Sequence, residues 1–360
     1  LSYDGGTRWQ PLSGNLPVVP VTDLEVRHGD LIAATEGRAF WILDDLSIVR
    51  QHADAIAGAA AHLYVPRPAF LLGGGGFGGG GGGAGVGRNP PNGRIFYSLA
   101  SAPDSAVTVR LEFLDAKGAV VRTFTNTEGT GSARLAPKAG INAFPWDLRR
   151  AAPTSLAGVV LFGAPSGAGA RVLPGTYQVR FTVGSVTRMQ PFEVRQDPRR
   201  VTPVAQLAEQ DSVANLMVGR IGEIHDAVLR LRDLKSHVQG FVTRTKDADS
   251  AKAIGTMGGS IVKKLEGLDP RLTTKATNGQ DIINYANGIN GQYGFLLGQV
   301  EGNPMVTAAA KERLVELERL WSALRAEVTV VETRDIEAFN RLLQAAKIDG
   351  VVTKKPRIIM

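Results

Sequence analysis

The chain has no cysteine, so a disulfide framework and any thiolate metal site are excluded. No apolar run approaches the ~20 residues of a membrane-spanning helix, and no secretory leader is visible. Histidine is scarce: His28, His52, His62, His225 and His237 are the whole set, and no two stand four apart on a helix as a zincin needs. Glu25-Val26-Arg27-His28 spells E-x-x-H, but in a strand-and-turn context that does not make the two side chains converge. A Gly-x-Ser-x-Gly elbow is also missing, and no Ser-His-Asp order can be placed. His225 and Asp226 are neighbours on a predicted helix, so they point apart and are expected to face water. These absences lead to the expectation of no metal, no cofactor and no catalytic residue in this stretch.

What is present is glycine, 43 residues of it in a chain of 360. Between Gly73 and Gly87 only Phe77, Ala84 and Val86 interrupt it. Ordering such a tract costs full backbone entropy and buries almost nothing, which predicts a mobile loop. Its G-x-G-x-x-G matches are those of any polyglycine, and no Lys-Ser or Lys-Thr follows to complete a phosphate loop. A net charge of +7 comes from 41 basic residues scattered among 34 acidic ones. Scattered charge predicts solubility rather than a nucleic-acid stripe. The length accommodates two or three domains, since single cores stop growing near ~250 residues.

The first 45 residues carry the most specific pattern. Ser2-Tyr3-Asp4-Gly5-Gly6-Thr7-Arg8-Trp9 reads S-x-D-x-G-x-x-W. In it Asp4 can accept turn N–H groups, the glycines permit positive φ, and Trp9 supplies a plug expected to pack between neighbouring strands. Strand-like segments follow at Asp23 to Val26, Asp30 to Thr35 and Gly37 to Asp45. This order resembles the closing blade of bacterial Asp-box (BNR-repeat) β-propellers, described as sortilin-like or glycosyl-hydrolase-like, with Ser2, Asp4, Gly6 and Trp9 as the structural Asp-box residues. A single blade exposes apolar faces that only its neighbours cover. With Leu1 at the motif's edge and no initiator Met, the expectation is a C-terminal portion of a longer protein whose other blades lie upstream.

Beyond Leu46 to His62, an Ala-rich connection, Leu63 to Pro68 reads as an extended segment pinned by two prolines. From Gly93 the pattern becomes short alternating strands: Arg94 to Leu99, Ala106 to Leu114, Ala119 to Phe124, Gly140 to Leu148, Leu173 to Val183 and Val186 to Val194. Asp115-Ala116-Lys117-Gly118 is a turn between two of them. Such spacing argues for an immunoglobulin-like sandwich, and N-x-x-x-W-D-L-R with L-P-G-T-Y-x-V resembles the module that follows the propeller in the same family.

After Asp197-Pro198 the period becomes helical, opening with Thr202 as N-cap and Pro203 at N1. Three stripes are visible: Ile221, Ile224, Val228, Leu231, Val238; Ile282, Ala286, Ile289, Tyr293, Leu296, Val300; and Leu314, Leu317, Trp321, Leu324, Val328. With shorter pieces at Ala253 to Leu265 and Ile336 to Ala346, they predict an α-helical bundle. The expected fold class is therefore multidomain β + α. Residues 1–62 form the last blade and its connection, 63–92 a Pro/Gly-rich linker, 93–197 the sandwich, 198–350 the bundle and 351–360 a frayed tail.

Candidate site residues are few. Asp44-Asp45 is the only adjacent carboxylate pair in the blade, but strand neighbours face opposite sides, whereas glycosidase chemistry needs two carboxyls ~5 to 9.5 Å apart in a cleft. The expectation is that one of them caps the turn at Leu46-Ser47. Glu36 and Arg38 lie in the Thr35-Glu36-Gly37-Arg38 turn, where related sequences have Thr-His-Gly-Arg, and Arg38 can face the propeller mouth or bond a neighbouring blade. Trp146 and Tyr177 are expected in the core, with glycan stacking as the alternative. The resemblance implies a non-catalytic accessory region of an extracellular or periplasmic protein that supports carbohydrate binding or hydrolysis on the upstream blades. Its alternative is a scaffold for protein or peptide ligands, as in sortilin-like propellers.

Overall fold

The computed structural model describes residues 1–51, 58–72, 93–129, 133–159, 161, 169–200, 202–247, 249–275 and 287–348. The glycine tract, the predicted start of the second helical stripe at Ile282 and Ala286, and the C-terminal tail lie outside them. The described chain is β + α and divides into two compact units. The first comprises Leu1–Leu72, Phe77–Asp147 and Pro174–Arg195; the second comprises Gly73–Gly76, Leu148–Leu173 and Gln196–Met360.

The first unit opens with a three-stranded antiparallel sheet, β1 (Val21–Arg27), β2 (Asp30–Thr35) and β3 (Phe40–Leu43). β1 and β2 join through His28-Gly29, both at positive φ, the two-residue turn whose twist suits a hairpin. A short helix α1 (Ser47–Gln51) follows. Two further sheets complete the unit. One has the order β4 (Ala61–Leu63), β6 (Gly93–Leu99), β9 (Gly140–Trp146); the other runs β5 (Ala69–Leu71), β11 (Val186–Gln196), β10 (Gly175–Val183), β7 (Val109–Leu114), β8 (Val120–Thr125).

The six alternating segments expected from Arg94 onward all appear as strands. β4 falls instead where the connection meets the extended Pro-pinned segment, and β5 just beyond that segment, in the expected Pro/Gly-rich linker. Each is three residues long, too short to show a period, and exists because β6 and β11 offer it a pairing edge. Asp115 Oδ1 accepts the N–H groups of Lys117 and Ala119, both at 2.9 Å, closing the turn between β7 and β8 with Gly118 at φ 81°. Aromatic rings join these last two sheets. Phe113 of β7 stacks on Trp146 of β9 with centroids 3.9 Å apart, Tyr97 of β6 stacks on Phe181 of β10 at 4.6 Å, and Phe124 of β8 meets Phe144 of β9 at 4.6 Å.

The second unit holds the long helix α2 (Val204–Arg244), α3 (Ala251–Leu272), α4 (Ile289–Gly302), α5 (Ala308–Val330) and α6 (Ile336–Ala345), the last two joined by a π-helical turn Val331–Asp335. On α2, Ala214, Met217, Ile221, Ile224, Val228 and Leu231 are buried at alternating steps of three and four. Ile254, Gly258, Ile261, Leu265, Leu268 and Leu272 repeat that rhythm on α3, and Leu317, Trp321, Leu324 and Val328 on α5. All but Gly258 belong to one apolar cluster. The short piece expected at Ala253 to Leu265 is thus part of a 22-residue helix. The N-cap of α2 is Pro203 rather than Thr202. The Thr202 backbone exchanges hydrogen bonds with the Gln196 side chain, 3.1 Å in each direction, so the Gln196 amide holds the chain that enters the helix. Among the described residues, no helix is long and apolar enough to cross a membrane.

Candidate functional site

The N-terminal turn is built by its own side chains. The Ser2 hydroxyl donates to Asp4 Oδ1 at 2.9 Å while accepting the Gly6 N–H at 2.8 Å. Asp4 Oδ1 also accepts the Arg8 N–H at 2.9 Å, and Arg8 Nε reaches Asp4 Oδ2 at 3.1 Å. The Arg8 N–H, followed by the Ser2 hydroxyl, holds the Asp4 carboxyl below its ordinary range. Gly5 and Gly6 take the positive φ that the turn demands. Trp9 departs from the expected buried plug: it is 74% exposed, with its ring beside Gly6 of its own turn.

Register explains what the β1–β3 sheet presents. Leu24, Ala33 and Trp41 lie across the three strands in one row, and Val26, Leu31 and Leu43 in the next, so one face is apolar across these two rows. The opposite face carries Asp23, Ala34 and Phe40, then Glu25, Ile32 and Ile42. Leu24 is 60% exposed, Phe40 70% and Ile42 58%, so the outer strands leave apolar surface open on both faces.

The carboxylates at the end of this sheet are committed to structure. Asp45, at φ 65°, accepts the Ser47 N–H at 3.0 Å and caps α1. Its own N–H donates to Asp30 Oδ1 at 2.9 Å, and Arg67 Nη1 donates to the same oxygen at 2.7 Å while standing 4.0 Å from Asp45. Arg67 Nη2 also donates to the His28 carbonyl. Burial pushes the Asp30 carboxyl upward, but the Asp45 N–H and Arg67 outweigh it and hold it low. Asp44 turns the other way, to Arg94 at 3.6 Å. The Asp44-Asp45 pair is therefore split between two arginines and faces no common cleft. Glu36 and Arg38 are exposed on the β2–β3 turn, where the Arg38 carbonyl accepts Trp41 Nε1–H at 3.0 Å. Neither is brought to Asp44 or Asp45 by any contact among the described residues. Trp146 is 0% exposed, and Tyr177 packs edge-on against it at 6.1 Å. Both rings are core, which corrects the glycan-stacking alternative: no ring face is open to a sugar.

The polar groups that sequence reasoning missed lie in the second unit. His225, expected to face water, is only 4% exposed. Its Nδ1 lies 2.7 Å from the Thr154 carbonyl and its Nε2 3.1 Å from the Asn290 amide, which fixes a neutral ring with Nδ1–H donating and Nε2 accepting. Burial pushes its pKa down. Asn290 Oδ1 in turn accepts the Thr274 and Gly291 N–H groups at 2.9 and 2.7 Å. Near it, Glu318 takes a bidentate bond from Arg220 (2.9 to 3.1 Å) and the buried Tyr293 hydroxyl at 2.7 Å. Arg220 also bonds Glu223, which accepts Trp321 Nε1–H at 3.0 Å.

A hollow of about 130 Å³ is lined by Val228, Leu231 and Leu265 below Arg232, Lys235 and Asp269. Asp269 accepts from Arg232 and Lys275, and Lys235 pairs with Glu266, so both of its carboxylates are already taken by cations. A drug-sized ligand pocket is larger, ~300 Å³ or more. Among the described residues, no group of three or more His, Cys, Asp or Glu side chains converges as a metal site. No family model, no curated protein and no solved structure matches this chain.

Proposed function

We propose that this chain is a non-catalytic accessory region of an extracellular or periplasmic Asp-box propeller protein. In this reading β1–β3 is one blade, the two aromatic-linked sheets are an immunoglobulin-like sandwich, and the helices form a bundle. Its role is to support carbohydrate binding or hydrolysis on further blades, which also cover the open sheet. One observation carries the reading: a three-stranded sheet beside a self-bonded Ser2–Asp4–Gly6 turn leaves apolar side chains open on both faces, as a blade does without its neighbours. The engagement of Asp30, Asp44 and Asp45 by arginines and backbone N–H groups supports a structural role for the acids near this sheet.

The second reading, a scaffold for peptide or protein ligands, draws on the same open face of Leu24, Val26 and Leu43. Glycan-array binding and a hydrolysis screen, run in parallel on this chain and on the longer protein, separate the two. Glycan binding or hydrolysis confined to the longer protein fits the accessory role. Peptide capture with no glycan signal in either favours the scaffold, and hydrolysis by this chain alone overturns both.

A further inference from the structure

The C-terminal end of α4 gathers more positive charge than its surroundings neutralise. The two carboxylates there are already taken. Glu301 holds Arg149 through two bonds, 3.2 and 2.7 Å, and accepts the Arg171 N–H at 2.9 Å. Asp197 is forked by Arg199 at 2.8 and 2.7 Å and accepts the Arg199 N–H. Two guanidinium groups are left over. Arg171 Nε stands 3.9 Å from Glu301, beyond hydrogen-bond reach, with its side chain about a quarter exposed. Arg200 Nη1 makes one long bond, 3.4 Å, to the Gly302 carbonyl. Both thus converge on consecutive residues, Glu301 and Gly302.

Among the described residues that meet here, four arginines face two carboxylates, so two positive charges remain. The helix C-terminus offsets only about half a unit charge. No other side chain of the connecting segment can help, because residues 151–170 contain no charged residue at all. Burial, then the neighbouring charge of Arg149, disfavours the charged form of Arg171; Glu301 favours it and Arg200 again opposes it, so the net shift is downward even beside that carboxylate. Guanidinium groups present planar donor pairs that match oxyanions in geometry as well as sign.

We infer that Arg171 and Arg200 form a receptor for a dianionic oxyanion, a sulfate or phosphate group. The inference does not depend on the blade reading. The test is thermal denaturation and calorimetric titration of the whole chain with sodium sulfate and sodium phosphate, against sodium chloride at matched ionic strength. The receptor predicts a saturable rise in midpoint with the dianions only. For Arg200→Gln, whose side chain lies at an exposed turn and whose loss leaves the core intact, it predicts at least a tenfold weaker apparent affinity. Arg171→Gln is expected to behave alike, while Arg188→Gln on an exposed strand leaves binding unchanged. Lowering the pH from 7.5 to 5.5 converts phosphate to its monoanion, which should weaken phosphate at least threefold and leave sulfate unaffected. Comparing inorganic sulfate with a sulfated oligosaccharide distinguishes a free ion from a group carried on a polymer, tighter binding of the oligosaccharide pointing to the polymer. A non-saturable rise, or one that Arg200→Gln and Arg171→Gln leave unaltered, overturns the inference.

Discussion

Arg149 grips Glu301 through paired hydrogen bonds of 3.2 and 2.7 Å, with both side chains less than a tenth exposed and 152 residues apart in sequence. Arg149 Nη1 also donates to the Gly169 carbonyl at 2.9 Å, and Arg149 bridges Arg171 across the backbone, so the pair ties Arg149, Gly169 and Arg171 to α4. Breaking a buried ion pair from one side leaves an uncompensated charge, which costs about 3–5 kcal/mol. Glu301→Leu alone, which leaves the buried Arg149 guanidinium without its carboxylate, should therefore destabilise the second unit by about that amount in denaturant titration. The double variant Arg149→Met with Glu301→Leu should recover most of it. Equal losses for the single and double variants would mean that packing, not charge, holds the segment.

His225 gives the same unit a dependence on pH. Its folded pKa lies below the ordinary 6.5 because burial disfavours the charged ring. The unfolded chain then binds the proton more readily, so this contribution is complete above about pH 6.5 and is lost as pH falls toward the folded value. Denaturant midpoints at pH 7.5 and 5.0 should drop on acidification, and His225→Asn should remove part of the drop. An identical drop in His225→Asn would show that another group is responsible.

Adjacent glycines on α3 should respond in opposite directions. A Cβ on Gly258 would come within 2.4 Å of Val242 Cγ2 and 3.4 Å of Phe339 Cε2, whereas one on Gly259 meets nothing within 4 Å. Gly259→Ala should stabilise by about 0.5–1 kcal/mol through helix propensity. Gly258→Leu should destabilise by roughly 1–3 kcal/mol, because the β-branched Val242 has little freedom to move. Thermal melts of the two variants decide it, and a stabilised Gly258→Leu would contradict the close approach of α2 and α3.

What the sequence made legible follows from range. The alternation of Val109, Leu111 and Phe113 and the helical stripes of α2 and α5 are local patterns, and they appear where the period places them. The Ser2–Asp4–Gly6 turn was legible for the same reason, since its bonds span two to four residues. His225 was misread because adjacency to Asp226 says which way side chains diverge, not which distant carbonyl, here Thr154, waits on the buried side. Asp30, Arg67 and Asp45 form one cluster across 37 residues, and no spacing rule announces it. Trp9 shows the converse: a motif can keep its local hydrogen bonds while its apolar residue stays exposed.

Trp146 offers a direct check on the core against a sugar platform. Fully buried and stacked on Phe113, it should cost about 3–5 kcal/mol on replacement by alanine. Any glycan affinity measured for the folded chain should survive Tyr177→Phe unchanged. Loss of glycan binding in a Tyr177→Phe variant that melts like the parent would return that ring to the candidate surface.

As a proposed blade, β1–β3 needs neighbours, and amide hydrogen exchange along residues 1–45 tests this most directly. Strands whose apolar faces stay open exchange through low-energy local opening. For this chain alone, rapid exchange through β1 and β3 is expected beside strong protection in β6, β7, β9 and α2, with protection of β1 and β3 rising sharply in a sample that carries the proposed further blades. Protection of β1 and β3 in this chain at the level of β7, in a sample shown to be monomeric, would contradict it.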